Sequence, residues 1–317
     1  MMRIVFMGTP ALAVPSLDIL RSEHDIVLAV TQPDKPAGRS HQLAVSPVKR
    51  YAQEHGIAVS QPERARNEDF IAQLREVAPD AIAVVAYGQI LPRAILELAP
   101  KGCVNLHFSL LPRWRGAAPV QYAILNGDTV TGVTTQWMAE KLDSGDVILQ
   151  REVEIEPQET TGELWERLTP IGAETLCDTM RLLAMDHAPR VPQDETQVTW
   201  ASTLSKENGQ IDWAQPALSL VNRVRACNPW PGAWCQFRGH TLKIWRAAIA
   251  PSPDSASNVG VANGVPGSWL GNAHAAMVAT GEGILQLIEV QPEGKPRLDA
   301  AAWARGARLA AGETFSI

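Results

Sequence analysis

The first 110 residues alternate short apolar runs with stretches of helical spacing. Ile4–Met7, Ile26–Val30, Ile57–Val59, Ala81–Ala86 and Val104–Leu106 are almost uninterrupted in apolarity, and most are rich in β-branched residues. Strands buried on both faces of a parallel sheet have this texture. Between them Ala11–Arg21, Ser46–His55, Glu68–Val77 and Pro92–Glu97 carry helix periodicity or cap signals, Ser46-Pro47 being an N-cap with proline in the first turn. The alternation predicts an α/β domain with a Rossmann-like, doubly wound, mostly parallel sheet. A longer helix is expected from about Gly162 to Met185, with Thr160 or Thr161 as its N-cap, and Pro170 inside it predicts a kink or a break.

Beyond Met185 the pattern changes. Pro189, Pro192 and a polar run lead to Thr199-Trp200-Ala201, and Ser205–Gly209 reads as a turn, so 189–206 is expected to be a linker between a domain at 1–188 and another at 207–317. In the latter a helix at Ala217–Ala226 precedes Asn228-Pro229-Trp230-Pro231-Gly232. Alternating strands follow at Trp234–Phe237, Leu242–Trp245, Met277–Thr280 and Ile284–Val290, a set that predicts a small OB-type β-barrel. Ser252–Gly267, rich in Ser, Asn, Gly and Pro, reads as a surface loop.

Composition narrows the function classes. With 45% hydrophobic residues in 317, the chain has material for a substantial core, which excludes disorder. A net charge of −6 excludes a uniformly basic nucleic-acid coat, but the charge is uneven: from Glu207 onward nine Lys+Arg face eight Asp+Glu, against 19 and 26 before it. A basic face on the small domain, carrying Arg223, Arg225, Arg238, Lys243 and Arg246, remains open beside the reading of ordinary solvated charges. No apolar run approaches the roughly 20 residues of a bilayer span. The N-terminal run is broken by Gly8, Pro10 and Pro15 and reads as a strand and turn. Four cysteines lie far apart without C-x-x-C or Cys/His spacing, so neither a zinc site nor a disulfide framework is expected, and a reduced, cytoplasmic protein is the default.

The candidate chemistry sits after the fifth strand. Asn105 and His107, two apart at a strand's carboxyl end, point the same way and lie where open α/β sheets bind ligands. They could converge on one substrate oxygen, and a carboxylate such as Asp143, in Leu142-Asp143-Ser144-Gly145-Asp146, could hold the imidazole or accept a proton. Taken alone, an Asn-x-His pair is more often structural packing and a Leu-Asp-x-Gly-Asp loop more often a plain turn. A nicotinamide dehydrogenase would carry Gly-x-Gly-x-x-Gly after the first strand. Here Gly8 is followed by Thr9-Pro10, with no further glycine before Gly38.

Several motifs taken in order converge on one family. Gly8-Thr9-Pro10, Thr31–Arg39, Ser46–Lys49, Val85-Ala86-Tyr87-Gly88, the Asn105–Pro119 stretch, Leu142–Asp146 and Asn228-Pro229-Trp230-Pro231 together resemble the methionyl-tRNA formyltransferases over nearly the whole chain. The resemblance implies transfer of a formyl group from 10-formyltetrahydrofolate to the α-amine of methionyl initiator tRNA, without a metal, by a monomer. It implies Asn105, His107 and Asp143 as catalytic residues and Ser109, Leu110, Leu111 and Pro112 as folate contacts. Arg39, with Lys35, Lys49 and Arg50 around it, would meet the tRNA together with the C-terminal domain. Rival readings are a formyltransferase acting on a small amine, which would lack the 31–50 loop, and a non-catalytic RNA-binding protein. The chain departs from the family pattern at Ser40-His41-Gln42, at Phe108, and at Trp137, Ala139 and Lys141.

Overall fold

A computed structural model describes residues 1–37, 42–251, 264–272, 274–310 and 312–316. The chain forms two compact units, the first Met1–Pro119, Val130–Glu154 and Trp165–Ala201, the second Val120–Thr129, Ile155–Leu164 and Ser202–Ile317.

The first unit opens with β1 (Arg3–Gly8), α1 (Val14–Glu23) and β2 (Asp25–Val30), then a short hairpin of β3 (Lys35–Ala37) and β4 (Gln42–Ala44). It continues through α2 (Pro47–Glu54), β5 (Val59–Ser60), α3 (Glu68–Val77), β6 (Ala81–Val85), α4 (Arg93–Leu96), β7 (Cys103–His107) and β8 (Arg115–Gly116). Next comes α5 (Pro119–Leu125), which from Val120 belongs to the second unit, and then β9 (Val130–Trp137), β10 (Val147–Glu154) and α6 (Thr161–Ala184), which belongs to the first unit from Trp165. Seven strands form one sheet in the order β10-β9-β7-β6-β1-β2-β5. Its five strands from β5 to β7 are parallel, and β9 and β10 add antiparallel. Every residue of β6 is buried, as its unbroken apolar sequence requires. On one face Phe70, Ile71 and Leu74 of α3 pack onto Val5, Leu28 and Ile82. Asn67 caps that helix through Asp69 N–H; Ser46 caps α2 through Lys49 N–H, as the sequence anticipates.

Three features differ from expectation or refine it. Helix α6 runs unbroken for 24 residues through Pro170. Its start is a capping box: Thr160 Oγ1 accepts from Glu163 N–H at 3.3 Å while the Glu163 carboxylate accepts from Thr160 N–H at 2.8 Å. Third, the segment 189–201 is folded within the first unit. Val191 bridges Val147, and β11 (Trp200–Ala201) pairs in parallel with β8.

The second unit contains α7 (Ala217–Ala226) and an antiparallel sheet, β12 (Ala233–Phe237), β13 (His240–Ile249), β15 (Ile284–Pro292) and β14 (Ala276–Ala279) in that order, with β16 (Leu298–Asp299) on β15. A helix that the sequence pattern did not signal, α8 (Ala300–Ala307), follows, capped by Asp299. Trp213, Phe237, Trp269, Trp303 and Phe315 share its core with Leu220. Most of the expected surface loop, residues 252–263, lies outside the described residues.

All four cysteines are buried free thiols. Desolvation pushes each upward, Cys177 and Cys227 to about 11. Among the described residues no helix is long and apolar enough to cross a membrane, and no three His, Cys, Asp or Glu side chains cluster to hold a metal.

Candidate active site

The parallel strands reverse order at β1, whose neighbours are β2 and β6, and ligand crevices of such sheets open at the carboxyl ends of the strands there. Beside that point β7 ends at His107, with Asn105 in register with Val84 on one side and Gln136 on the other. A cavity of about 450 Å³ opens here, and Asn105, His107 and Asp143 all line it. Its walls include the loop from Ala86 to Leu91, the stretch Met138–Glu140, Gln136, and the rings of Phe108 and Trp165.

Each polar group is placed differently. The Asn105 side chain, half-buried, makes no hydrogen bond to another described residue, so its amide is free for a ligand. His107 is buried, and its Nε2 lies 2.8 Å from the Trp114 carbonyl, which can only accept. Nε2 therefore carries a hydrogen, and Nδ1 is the atom turned toward Asp143, 3.7 Å from Oδ2. The Asp143 carboxylate is held at both ends, Oδ2 by Gly116 N–H at 2.9 Å and Oδ1 by the Gln136 amide at 3.0 Å. Asp143 adopts a left-handed backbone at φ 49°, a conformation that aspartate tolerates better than most residues. Gly145 is required two residues on, because a Cβ there would stand 1.7 Å from the Trp137 carbonyl oxygen. A free amide donor, an imidazole and an anchored carboxylate around one cavity can stabilise a developing oxyanion and accept a proton.

Ser109, Leu110, Leu111 and Pro112 leave this cavity without lining it. Their backbone is tied down instead: Thr134 Oγ1 donates to the Ser109 carbonyl at 2.6 Å and accepts from Leu111 N–H at 3.1 Å, while Gln150 donates to the Leu111 carbonyl at 2.8 Å. Of the expected tRNA contacts, Arg39 and the side chain of Lys35 lie outside the described residues. Lys49 is committed to Asp34 at 2.5 Å, with both side chains largely buried, and its ammonium holds the Asp34 carboxyl below the usual range. Arg50 is exposed and has no ionic partner among the described residues.

Several site residues were not singled out by sequence reasoning. The Ala86–Leu91 loop contributes backbone at Ala86 (φ 48°) and Gly88 (φ 85°), and the Tyr87 carbonyl is fixed by Thr9 and Gln32. Burial pushes the Tyr87 phenol up to about 12. Its signal was the Val85–Gly88 motif, which carried a resemblance but no role. Gln136, Trp165 and Gln193 had no local signal. Two departures from the family pattern find contacts: Phe108 meets Trp165 edge to face at 4.7 Å, and Trp137 donates its indole N–H to the Pro189 carbonyl.

The formyl transferase family model matches residues 2–180, and that for the formyl transferase C-terminal domain matches residues 203–308. A methionyl-tRNA formyltransferase of Symbiobacterium thermophilum is 47% identical over 317 residues, covering 100% of this chain and 96% of that protein. The chain belongs to the methionyl-tRNA formyltransferase family. Solved structures share the fold. A methionyl-tRNA formyltransferase from Clostridium thermocellum aligns with a TM-score of 0.55 at 17% identity, over 79% of this chain and 94% of that one. HypX from Aquifex aeolicus in complex with tetrahydrofolic acid aligns with a TM-score of 0.60 at 18% identity, over 96% of this chain and 47% of that one. Family membership accounts for a parallel sheet extended by antiparallel strands in one unit and a separate antiparallel sheet in the other.

Proposed function

We propose that the protein transfers the formyl group of 10-formyltetrahydrofolate to the α-amino group of methionyl initiator tRNA, giving N-formylmethionyl-tRNA. The carrying observation is the meeting of Asn105, His107 and Asp143 at one cavity, in a chain whose relatives along its full length are methionyl-tRNA formyltransferases. A cavity of about 450 Å³ between the Ala86–Leu91 loop and the rings of Phe108 and Trp165 suits a flat heterocycle, and the Asn105 amide at its wall can donate to a ligand. The folate supplies the activated formyl group.

The chain's own residues do the rest. A free α-amine has a pKa of about 8, so a useful share is already a neutral nucleophile and needs positioning more than activation. Asn105 donates its amide to the oxygen on which negative charge develops as the amine attacks. Asp143 Oδ2 faces Nδ1 at 3.7 Å while the Trp114 carbonyl holds Nε2, so the imidazole ring is kept in one orientation beside that oxygen. The same carboxylate takes the proton lost by the amine, through water, and returns one to the departing folate nitrogen.

Ser109–Pro112 follow His107 after Phe108 and meet the part of the folate that extends beyond the cavity. On the nucleic-acid side, Lys35, Arg39 and Arg50 contact tRNA phosphates together with a C-terminal domain of OB type, giving salt-dependent binding. Lys49 adds its charge only by leaving Asp34.

A formylation assay with 10-formyltetrahydrofolate and a choice of methionyl initiator tRNA, methionyl elongator tRNA, free methionine and glycinamide ribonucleotide tests the reading. Formylation of the initiator species alone supports it. Transfer to a small amine would keep the site and remove the tRNA, and no transfer at all would overturn the enzyme.

A further inference from the structure

Gln193 lies in the segment that sequence reasoning treated as a linker, yet its side chain reaches the loop that carries Asp143. Its amide nitrogen donates to the Asp143 carbonyl at 2.9 Å and the Gly145 carbonyl at 2.7 Å, and Gln136 Oε1 is 3.3 Å away. Its amide oxygen accepts from two nitrogens of Arg115, at 3.1 and 2.9 Å. Arg115 is only 3% exposed and precedes Gly116, whose N–H holds Asp143 Oδ2. Gln136 in turn holds Oδ1. One side chain therefore touches the Asp143 backbone, the Gln136 that fixes Oδ1, and Arg115, the residue before the Gly116 that fixes Oδ2.

The segment bearing Gln193 is itself anchored. Trp137 donates to the Pro189 carbonyl at 2.9 Å, the Arg190 guanidinium lies 3.8 Å over the Trp137 ring, and Val191 bridges Val147. Downstream, Trp200 and Ala201 pair with Arg115 and Gly116. Asp143 needs such support, because its left-handed backbone persists only where its surroundings impose it.

We infer that Gln193 is a positioning residue for Asp143, clasping the loop between β9 and β10 so that the carboxylate stays aimed at His107. This rests on the catalytic reading of Asp143 given above. An amide suits the place because it donates to carbonyls on one side and accepts from a guanidinium on the other.

The test is steady-state formylation by Gln193→Ala and Gln193→Glu, alone and with Asp143→Asn. Gln193→Glu keeps the shape and the acceptor facing Arg115 but loses the donor to both carbonyls, so it decides the matter if Gln193→Ala does not fold. Both variants should lower kcat by about 10- to 100-fold while KM for folate and for tRNA changes by less than about threefold. In the Asp143→Asn background, either change should cost less than about twofold more, since the group it acts through is already disabled. Wild-type kcat in Gln193→Glu, or losses that multiply in the double variant, would overturn the inference. A wild-type protein that formylates no methionyl-tRNA refutes the site's reading instead, which separates the two failures.

Discussion

The Asp143 carboxylate stops 3.7 Å from His107 Nδ1, outside hydrogen-bond distance, while its two oxygens accept from Gly116 N–H and the Gln136 amide. The two residues face each other across a short gap without a shared hydrogen bond. Asp143 is thus placed by the protein independently of the imidazole, and the imidazole is placed independently by the Trp114 carbonyl.

Removing the Asp143 charge with little change of shape, and separately deleting the imidazole, tests the arrangement. Asp143→Asn and His107→Ala are each expected to lower kcat by about 100-fold or more, with tRNA affinity within about twofold of wild type. Single-turnover formylation and a filter-binding titration measure the two quantities. A full rate in both variants would remove these residues from the chemistry.

Gly145→Ala probes the loop rather than the carboxylate. The new Cβ would meet backbone at 1.7 Å, which no rotamer can relieve, so the loop must move and carry Asp143 with it. A displacement of about 1 Å is enough to cost about 100-fold in rate. The expected result is a folded protein with a lowered melting temperature and kcat reduced on that order.

Lys49 and Arg50 are neighbours with different expected behaviour. Arg50→Ala should reduce the slope of log affinity for tRNA against log salt by about 1, as loss of one phosphate contact does. Lys49→Ala should act chiefly on stability through Asp34. Because the Lys49 ammonium lowers the folded-state pKa of Asp34, the pair stabilises the protein above the ordinary carboxylate range and loses this as pH falls through the lowered value. Melting curves of wild type and Asp34→Asn should differ at neutral pH and converge in acid; a constant gap would contradict the pairing.

Thr160→Ala removes one side of the capping box at the start of α6. A loss of about 1 kcal/mol in urea unfolding is expected, with Thr160→Ser recovering most of it. An unchanged midpoint would assign the cap elsewhere.

The parallel strands and their helices were legible in the sequence because each depends on local properties. Continuous apolar residues in β6 suit a strand buried on both faces, and Ser46 and Asn67 cap helices whose donors lie two or three residues away. Asn105 and His107 were legible for the same reason: residues two apart on a strand face one way whatever the rest of the chain does. Helix α8 was not, since its apolar face follows directly from a two-residue strand and has meaning only against the second unit's core.

What the sequence determined by itself was therefore the alternation of elements and the placing of Asn105 and His107 on one side of the end of β7, both set by nearest neighbours along the chain. Only the tertiary structure decided which distant groups meet there. The amide of Gln136, the N–H of Gly116 and the side chain of Gln193 come from three separate segments and converge on Asp143 through strand pairing. The commitment of Lys49 to Asp34, 15 residues away, was likewise invisible, as was the anchoring of residues 189–201 beside Arg115 and Gly116. Such contacts are set by long-range packing, and no period of two or 3.6 residues encodes them.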